Sequence, residues 1–280
     1  MQILVTGGAG FIGSHLADRL AELGHQINVL DNFSSGKRDW LNKKATLFKG
    51  DVESIFDVKK AISGCDAVFH LAALTDVRNS DDDRIFRVNY MGSKNVFDAA
   101  AKQGAKTIFA SSAAVYGNAD MPNSEDTKLA PISAYGKTKL KAEKLLKDAF
   151  IARIFNAYGS RGKSVINRFC SNVKSGKKAT VFGSGMQSRD YVYVSDVVNA
   201  LLLGLEHTGT YNVAAGTETT LLNILDIIGD ISGSEPNTEF SLPIEGEIKR
   251  SKADISKIKA LGWQPAVSIE DGIRYVWRSL

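Results

Sequence analysis

The chain has 280 residues, 44% of them hydrophobic, enough to bury one large core or a core with a smaller lobe. Its net charge of +4 comes from interspersed acids and bases with no dense Lys or Arg run, which excludes a nucleic-acid face and suits small anionic ligands. No apolar stretch reaches the ~20 residues that span a bilayer, and Cys65, Cys170 and the four histidines lack metal-ligand spacing; no membrane or metal partner is expected, and the protein reads as cytoplasmic with buried, reduced thiols.

In chain order, Ile3-Leu4-Val5 is an apolar run that passes into Thr6-Gly7-Gly8-Ala9-Gly10-Phe11-Ile12-Gly13, after which Leu16, Leu20 and Leu23 share a helical face. A second run, Ile27-Asn28-Val29-Leu30, ends on Asp31, which completes a βαβ unit. Gly8, Gly10 and Gly13 fit G-x-G-x-x-G, and Gly7, Gly10 and Gly13 fit G-x-x-G-x-x-G in the same turn. Lacking Cβ atoms, these residues permit a tight turn and let a pyrophosphate approach the N–H groups at the helix start, at Phe11, Ile12 and Gly13. Asp31 at the second strand end suits a ribose diol and would repel a 2′-phosphate, so the expected cofactor is NAD rather than NADP. The polar turn after it, with Asn32, Ser35 and Gly36, lies where an adenine and its ribose would sit.

Residues 46–50 read as a third strand ending at Asp51-Val52, and Asp66 to His70 as a fourth running into Leu71-Ala72-Ala73, small residues at a carboxyl end where ligands bind in open α/β sheets. His70 continues an apolar strand and is read as a core hydrogen-bonding residue. Residues from about Asp83 to Lys102 form an amphipathic helix carrying the polar Asn89. A fifth strand at 107–110 stops at Ser111-Ser112-Ala113-Ala114-Val115-Tyr116-Gly117, which puts a hydroxyl at the ligand edge. Tyr135-Gly136-Lys137-Thr138-Lys139 then opens a helix with Leu140, Leu145 and Leu146 expected on its buried side, and Tyr135 and Lys139, four apart, share a face.

Ile151 to Asn156 reads as a sixth strand. The alternation implies an α/β fold, a doubly wound parallel sheet with helices on both faces. Beyond Asn156 shorter helices and strands form a smaller lobe. The expected domains are 1–156, with 191–206 returning to it, and 157–280.

These motifs together resemble the extended short-chain dehydrogenase/reductase superfamily, in particular the NAD-dependent nucleotide-sugar epimerases and dehydratases of the UDP-glucose 4-epimerase type. Phe155-Asn156, Arg189-Asp190-Tyr191-Val192-Tyr193-Val194 and Leu261-Gly262-Trp263-Gln264-Pro265 extend the resemblance to nearly the whole length. It implies a Rossmann-like sheet with a C-terminal substrate lobe, and Ser112, Tyr135 and Lys139 as the catalytic set. It further implies that the glycine turn, Asp31, Asp51, Val52 and Asn89 hold NAD beside Tyr135 and Lys139. In the lobe it places Asn156 and Arg189 at a nucleotide diphosphate, Phe182 against the base, and Glu247 and Ser251 in the sugar site, with Ser251 by the sugar 2-position. A homodimer built on the helices at 83–102 and 133–147 is implied as well.

The implied reaction is UDP-galactose/UDP-glucose 4-epimerisation, with N-acetylated UDP-hexosamines possible substrates given the small Ser251. The sugar is transiently oxidised at C4 with Tyr135 as base, and the hydride is returned from NADH. A free tyrosine has a pKa near ~10, so Lys139 and the cofactor's positive ring are expected to lower it by about three units. Dehydratases and decarboxylases of the group carry an acid just before Val-Tyr-Gly, where this chain has Ala113 and Ala114. Many relatives have an arginine at Ile244, for which Lys249 or Arg250 could substitute. The alternatives are another dehydratase or reductase of the superfamily, or a non-catalytic NAD-sensing protein on the same fold.

Overall fold

The computed structural model describes residues 1–75, 81–244 and 248–280. Strand β1 (Gln2–Thr6) has Ile3, Leu4 and Val5 wholly buried, as a strand must when helices cover both faces of its sheet. The chain continues through α1 (Phe11–Glu22), β2 (Gln26–Asp31), β3 (Thr46–Lys49), α2 (Ile55–Ile62), β4 (Ala67–His70) and α3 (Asp82–Phe86). A π-turn (Arg87–Met91) leads into α4 (Gly92–Gln103), then β5 (Lys106–Ser112), α5 (Ala134–Glu143) and β6 (Phe150–Ile154). After these come β7 (Asn156–Tyr158), α6 (Val165–Lys174), β8 (Ala179–Phe182), β9 (Ser188–Arg189), β10 (Tyr191–Tyr193) and α7 (Val194–Leu202). The chain closes with β11 (Gly209–Val213), β12 (Thr219–Thr220), α8 (Leu221–Ser232), β13 (Thr238–Ser241), α9 (Ser256–Lys259) and α10 (Ile269–Ser279).

Seven strands form one sheet in the order β11-β6-β5-β4-β1-β2-β3, parallel from β6 to β3. This is the doubly wound α/β fold expected from the alternation. The order reverses between β1 and β4, and the crevice beyond their carboxyl ends is where such sheets bind ligands. Among the described residues, no helix is long and apolar enough to cross a membrane.

Two compact units are present. The first comprises Met1–Ala119, Lys128–Ile154 and Val198–Tyr211; the second comprises Asp120–Thr127, Phe155–Val197 and Asn212–Leu280. These bounds differ from the sequence expectation: residues 120–127, 155–156 and 191–197 fall in the second unit, and 207–211 in the first. Asp120–Thr127 belongs to the second unit because Asn123 donates to Lys252 and accepts from Asp254 and the Asn212 amide. Tyr191–Tyr193 belongs there too, because β10 pairs with β7. The second unit has its own core, in which Ile166 and Phe169 of α6 meet Ile224 and Ile228 of α8 and Ile273 and Val276 of α10.

Helix α5 departs from its expected pattern. It ends at Glu143, Leu140 and Leu146 are only half-buried, and Leu145 is 37% exposed. Its inward face is instead carried by Lys139, Ala142 and Glu143, whose charged ends find buried partners, so hydrophobic periodicity misjudged which side faces the sheet. The helix expected from Asp83 to Lys102 is interrupted by the π-turn that contains Asn89.

Candidate active site

The glycine turn after β1 is built from contacts no side chain would allow. Gly7 has φ +69°, and a Cβ on it would lie 2.8 Å from the Ala72 nitrogen; a Cβ on Gly13 would lie 2.1 Å from the Gly7 carbonyl oxygen. Helix α1 starts at Gly10 with no side-chain cap, whereas Ser54, Ser133 and Thr220 cap α2, α5 and α8. Its first-turn amides at Phe11, Ile12 and Gly13 therefore have no acceptor within the helix, and they stand at its positive end. Such an end receives a phosphate group.

Asp31 is 8% exposed and accepts from the backbone N–H of Ala9 (2.9 Å) and of Phe33 (2.7 Å), one bond per carboxylate oxygen, so each oxygen keeps a lone pair. Gly36 lies against Ala9, where a Cβ would meet the carbonyl oxygen at 2.6 Å, and Ser35 beside it is exposed. Asn32 donates to Asp51 (2.7 Å), and Val52 is buried beneath Gly92. Asn89 clamps the Leu74 backbone, accepting from its N–H (2.7 Å) and donating to its carbonyl (2.9 Å). The sequence pointed to Asn89 as a cofactor contact, and here it orders the segment that follows Leu71-Ala72-Ala73.

His70 is wholly buried, as a core residue, and its hydrogen bonds have one consistent direction. Ser93 donates to the Asn89 carbonyl (2.6 Å), so its oxygen accepts from His70 Nε2 (2.8 Å). Nδ1 then accepts from the Thr6 hydroxyl (2.7 Å), whose oxygen accepts from the N–H groups of Leu71 and Ala72 (3.2 Å each). Burial, with the Lys139 charge second, holds His70 well below the usual imidazole range, which keeps it in the neutral form this relay needs. Sequence reasoning did not find Thr6 or Ser93, since a hydroxyl in an apolar run has no periodic signature.

Ser112 ends β5, and its hydroxyl accepts from the Ala114 N–H (3.1 Å), turning the chain into a short 3₁₀ segment over Ala113–Val115. Tyr135 and Lys139 lie one turn apart on α5, whose N-terminus Ser133 caps by accepting from Gly136 (3.1 Å). Ser112 lies close enough to the Tyr135 phenol to favour its ionised form, and Lys139 Nζ is 5.8 Å from the Tyr135 ring centre. Lys139 is 2% exposed and donates to the Ala110 carbonyl (2.7 Å).

Among the chain's own groups, burial pushes the Tyr135 phenol up to about 12, opposed by the neighbouring Ser112, so the downward shift expected for the base is left to the cofactor's positive ring. Burial likewise pushes Lys139 down to about 7, opposed by the Glu143 charge, so near neutral pH its cation is only half populated. The chain's own groups thus leave Tyr135 protonated.

In the second unit, Asn156, Arg189 and Ser251 gather on the segment at 188–190. Asn156 donates to the Asp190 carbonyl from its backbone (3.1 Å) and side chain (3.2 Å). The Arg189 guanidinium donates to the Ser188 (2.9 Å) and Lys249 (3.4 Å) carbonyls, and the Ser251 N–H donates to Ser188 (3.2 Å). Asp190 pins the segment: wholly buried, it accepts from the N–H groups of Ala215, Gly216 and Ala253, and burial still raises it to about 6. Phe182 lines an open apolar groove with Phe240, Leu242 and Pro243. Arg250 is held by Glu218 (2.6 Å). Glu247 lies outside the described residues.

An uncapped helix start on a glycine turn, with a carboxylate at the next strand end, fits a dinucleotide. Residues 3–214 match the NAD dependent epimerase/dehydratase family. The chain is similar to the UDP-glucose 4-epimerase of Thermotoga maritima solved with UDP-glucose (34% identity, TM-score 0.94, covering 100% of this chain and 98% of that one). It is similar also to the UDP-N-acetylglucosamine 4-epimerase of Methanobrevibacter ruminantium M1 solved with UDP-N-acetylmuramic acid (33%, TM-score 0.95, 99% and 97%). A third relative is UDP-glucuronic acid decarboxylase 1 of Danio rerio, 32% identical over 97% of this chain and 71% of its own length. The glycine turn, the parallel sheet and these likenesses agree: this chain belongs to the NAD dependent epimerase/dehydratase family, and its cofactor is NAD.

Proposed function

We propose that this protein is a UDP-sugar 4-epimerase. The observation that carries the reading is the Tyr135 ring, beside Ser112 and 5.8 Å from the buried Lys139 Nζ, in the same unit as the glycine turn. The glycine turn, Asp31 and the Asp51-Val52 segment would hold NAD, which would supply the hydride acceptor and, once reduced, the donor. Tyr135 takes the proton of the sugar 4-hydroxyl as general base, and Ser112 hydrogen-bonds the same oxygen to hold it in register. The Lys139 cation favours the Tyr135 phenolate electrostatically. When the keto sugar is reduced on its opposite face, Tyr135 returns the proton.

Decarboxylases are also close relatives, so the choice between outcomes rests on the strand-end turn. Ala113 and Ala114 can neither donate nor accept a proton, which supports inversion over water elimination or loss of carbon dioxide. In the second unit Arg189 and Asn156 bind the diphosphate, assisted by Lys249, and Phe182 stacks on the base. The test is to incubate the purified protein with UDP-, dTDP- and GDP-sugars without added cofactor and to separate the products. UDP-glucose and UDP-galactose should interconvert to equilibrium; a need for stoichiometric NADPH, or release of a decarboxylated or dehydrated sugar, would overturn the reading.

A further inference from the structure

One buried ionic cluster lies beside the catalytic residues and is not used by the chemistry above. Glu143 of α5 and Arg153 of β6 are 7% and 6% exposed, and the guanidinium meets the carboxylate through Nη2 (2.9 Å) and Nε (3.2 and 3.3 Å). Glu143 also accepts from the Ser111 hydroxyl (2.5 Å), and Arg153 Nη1 donates to the Tyr116 hydroxyl (3.1 Å) while its carbon sits 5.1 Å from that ring centre. Ser111 precedes Ser112, Tyr116 ends the turn that Ser112 begins, and Glu143 stands one turn past Lys139. The pair therefore ties the helix carrying Tyr135 and Lys139 to the strand end carrying Ser112.

Stability alone does not account for such a pair, because apolar residues of the same volume often serve as well. The position of the carboxylate suggests a second role. The titratable and charged groups facing Lys139 are Tyr135 and Glu143 on its own helix and His70 from β4, with Arg153 and Tyr116 beyond Glu143. Burial opposes the ammonium, and Glu143 is the negative charge that supports it. Glu143 is two turns from Tyr135, about 12 Å along the axis, so its direct opposition to the phenolate is weaker than its support of Lys139.

We propose that Glu143, locked in place by Arg153, is a positioning residue that sets the Ser112–Tyr135 alignment and keeps Lys139 charged, so that Tyr135 can act as base near neutral pH. This rests on the reading of Tyr135 as the base. The experiment is the pH dependence of kcat and KM for UDP-galactose, using the NAD-loaded protein, for wild type, Glu143→Gln, and Glu143→Met with Arg153→Met. Glutamine keeps the acceptor for Ser111 without the charge, and the double variant leaves no unpaired buried ion if the single one fails to fold. In both, the acid limb of kcat should move up by on the order of one unit, with kcat at pH 7 falling about tenfold and KM little changed. A wild-type profile in either folded variant, with only a lower Tm, would overturn the proposal. Tyr135→Phe, run alongside, separates the two failures: if it stays active the base assignment falls, and if it is inactive while the acid limb has not moved, the Glu143 role alone falls.

Discussion

At the scale of single residues, the catalytic reading depends on one proton acceptor. Tyr135→Phe keeps the ring beside Lys139 and removes only the phenol oxygen, so conversion should be abolished while NAD stays bound, as bound-nucleotide absorbance after gel filtration will show. Ser112→Ala removes the partner that aligns the phenol, and turnover should drop on the order of 10²-fold. Ser251 gives a second test. It is small, half-buried and anchored by its N–H to Ser188, and the resemblance puts it by the sugar 2-position. Ser251→Tyr should suppress turnover of UDP-N-acetylglucosamine while sparing UDP-glucose, since overpacking typically costs ~1 to 3 kcal/mol and would fall on the bulkier sugar. Equal loss on both substrates would remove Ser251 as the gate.

At the scale of elements, the glycine turn and α1 form a unit that tolerates no added volume. A methyl group on Gly13 would sit 2.1 Å from the Gly7 carbonyl, a contact relieved only by moving backbone. Gly13→Ala should therefore shift α1 off the turn, lowering Tm and weakening NAD affinity by at least tenfold in a fluorescence titration. The same substitution at Gly24, with open space around it and φ +80°, should cost about 1 kcal/mol through strain alone and leave NAD binding unchanged. Helix α5 teaches a different lesson. Its Tyr135 and Lys139 were legible from their i, i+4 spacing, but the side it buries was not, because charged residues occupy it. The available signal was ionic: Glu143 repeats the spacing after Lys139, and Arg153 interrupts an otherwise apolar strand run.

At the scale of the whole molecule, burial of Lys139 predicts a pH dependence of folding. Its ammonium titrates near 10.5 when exposed and at about 7 in the folded chain, so between those values the unfolded state holds a proton that the folded state does not. Stability of the NAD-free protein should rise with pH across that window, and at or below pH 7 the burial penalty is fully present, at most about 5 kcal/mol. Lys139→Met should flatten this slope in urea unfolding measured from pH 6 to 10; an unaltered slope would show that other groups set it. We further propose a homodimer built on α3, α4 and α5. Met91 and Leu145 are exposed there, and Lys141 lies 5.0 and 6.0 Å from the ring centres of Phe86 and Tyr90, an apolar surface edged by charge. Sedimentation at micromolar concentration should give twice the 30.3 kDa chain mass, and a single-chain mass would refute it.

The βαβ start, the acid at the end of β2, the parallel alternation and the spacing of Tyr135 with Lys139 were legible from the residues in order. Each is a local property: glycine spacing, strand and helix periodicity, and the i, i+4 geometry of a helix depend on residues close together in the chain. The rest depends on contacts between segments far apart in the chain. That Asp31 is tied to Ala9, that His70 relays between Thr6 and Ser93, and that Asp190 gathers three distant backbone N–H groups follow from which segments the fold brings together. Proton affinities belong there too. Burial raises the Tyr135 phenol and lowers the Lys139 ammonium, and removal from water, unlike spacing, is a property no segment carries on its own.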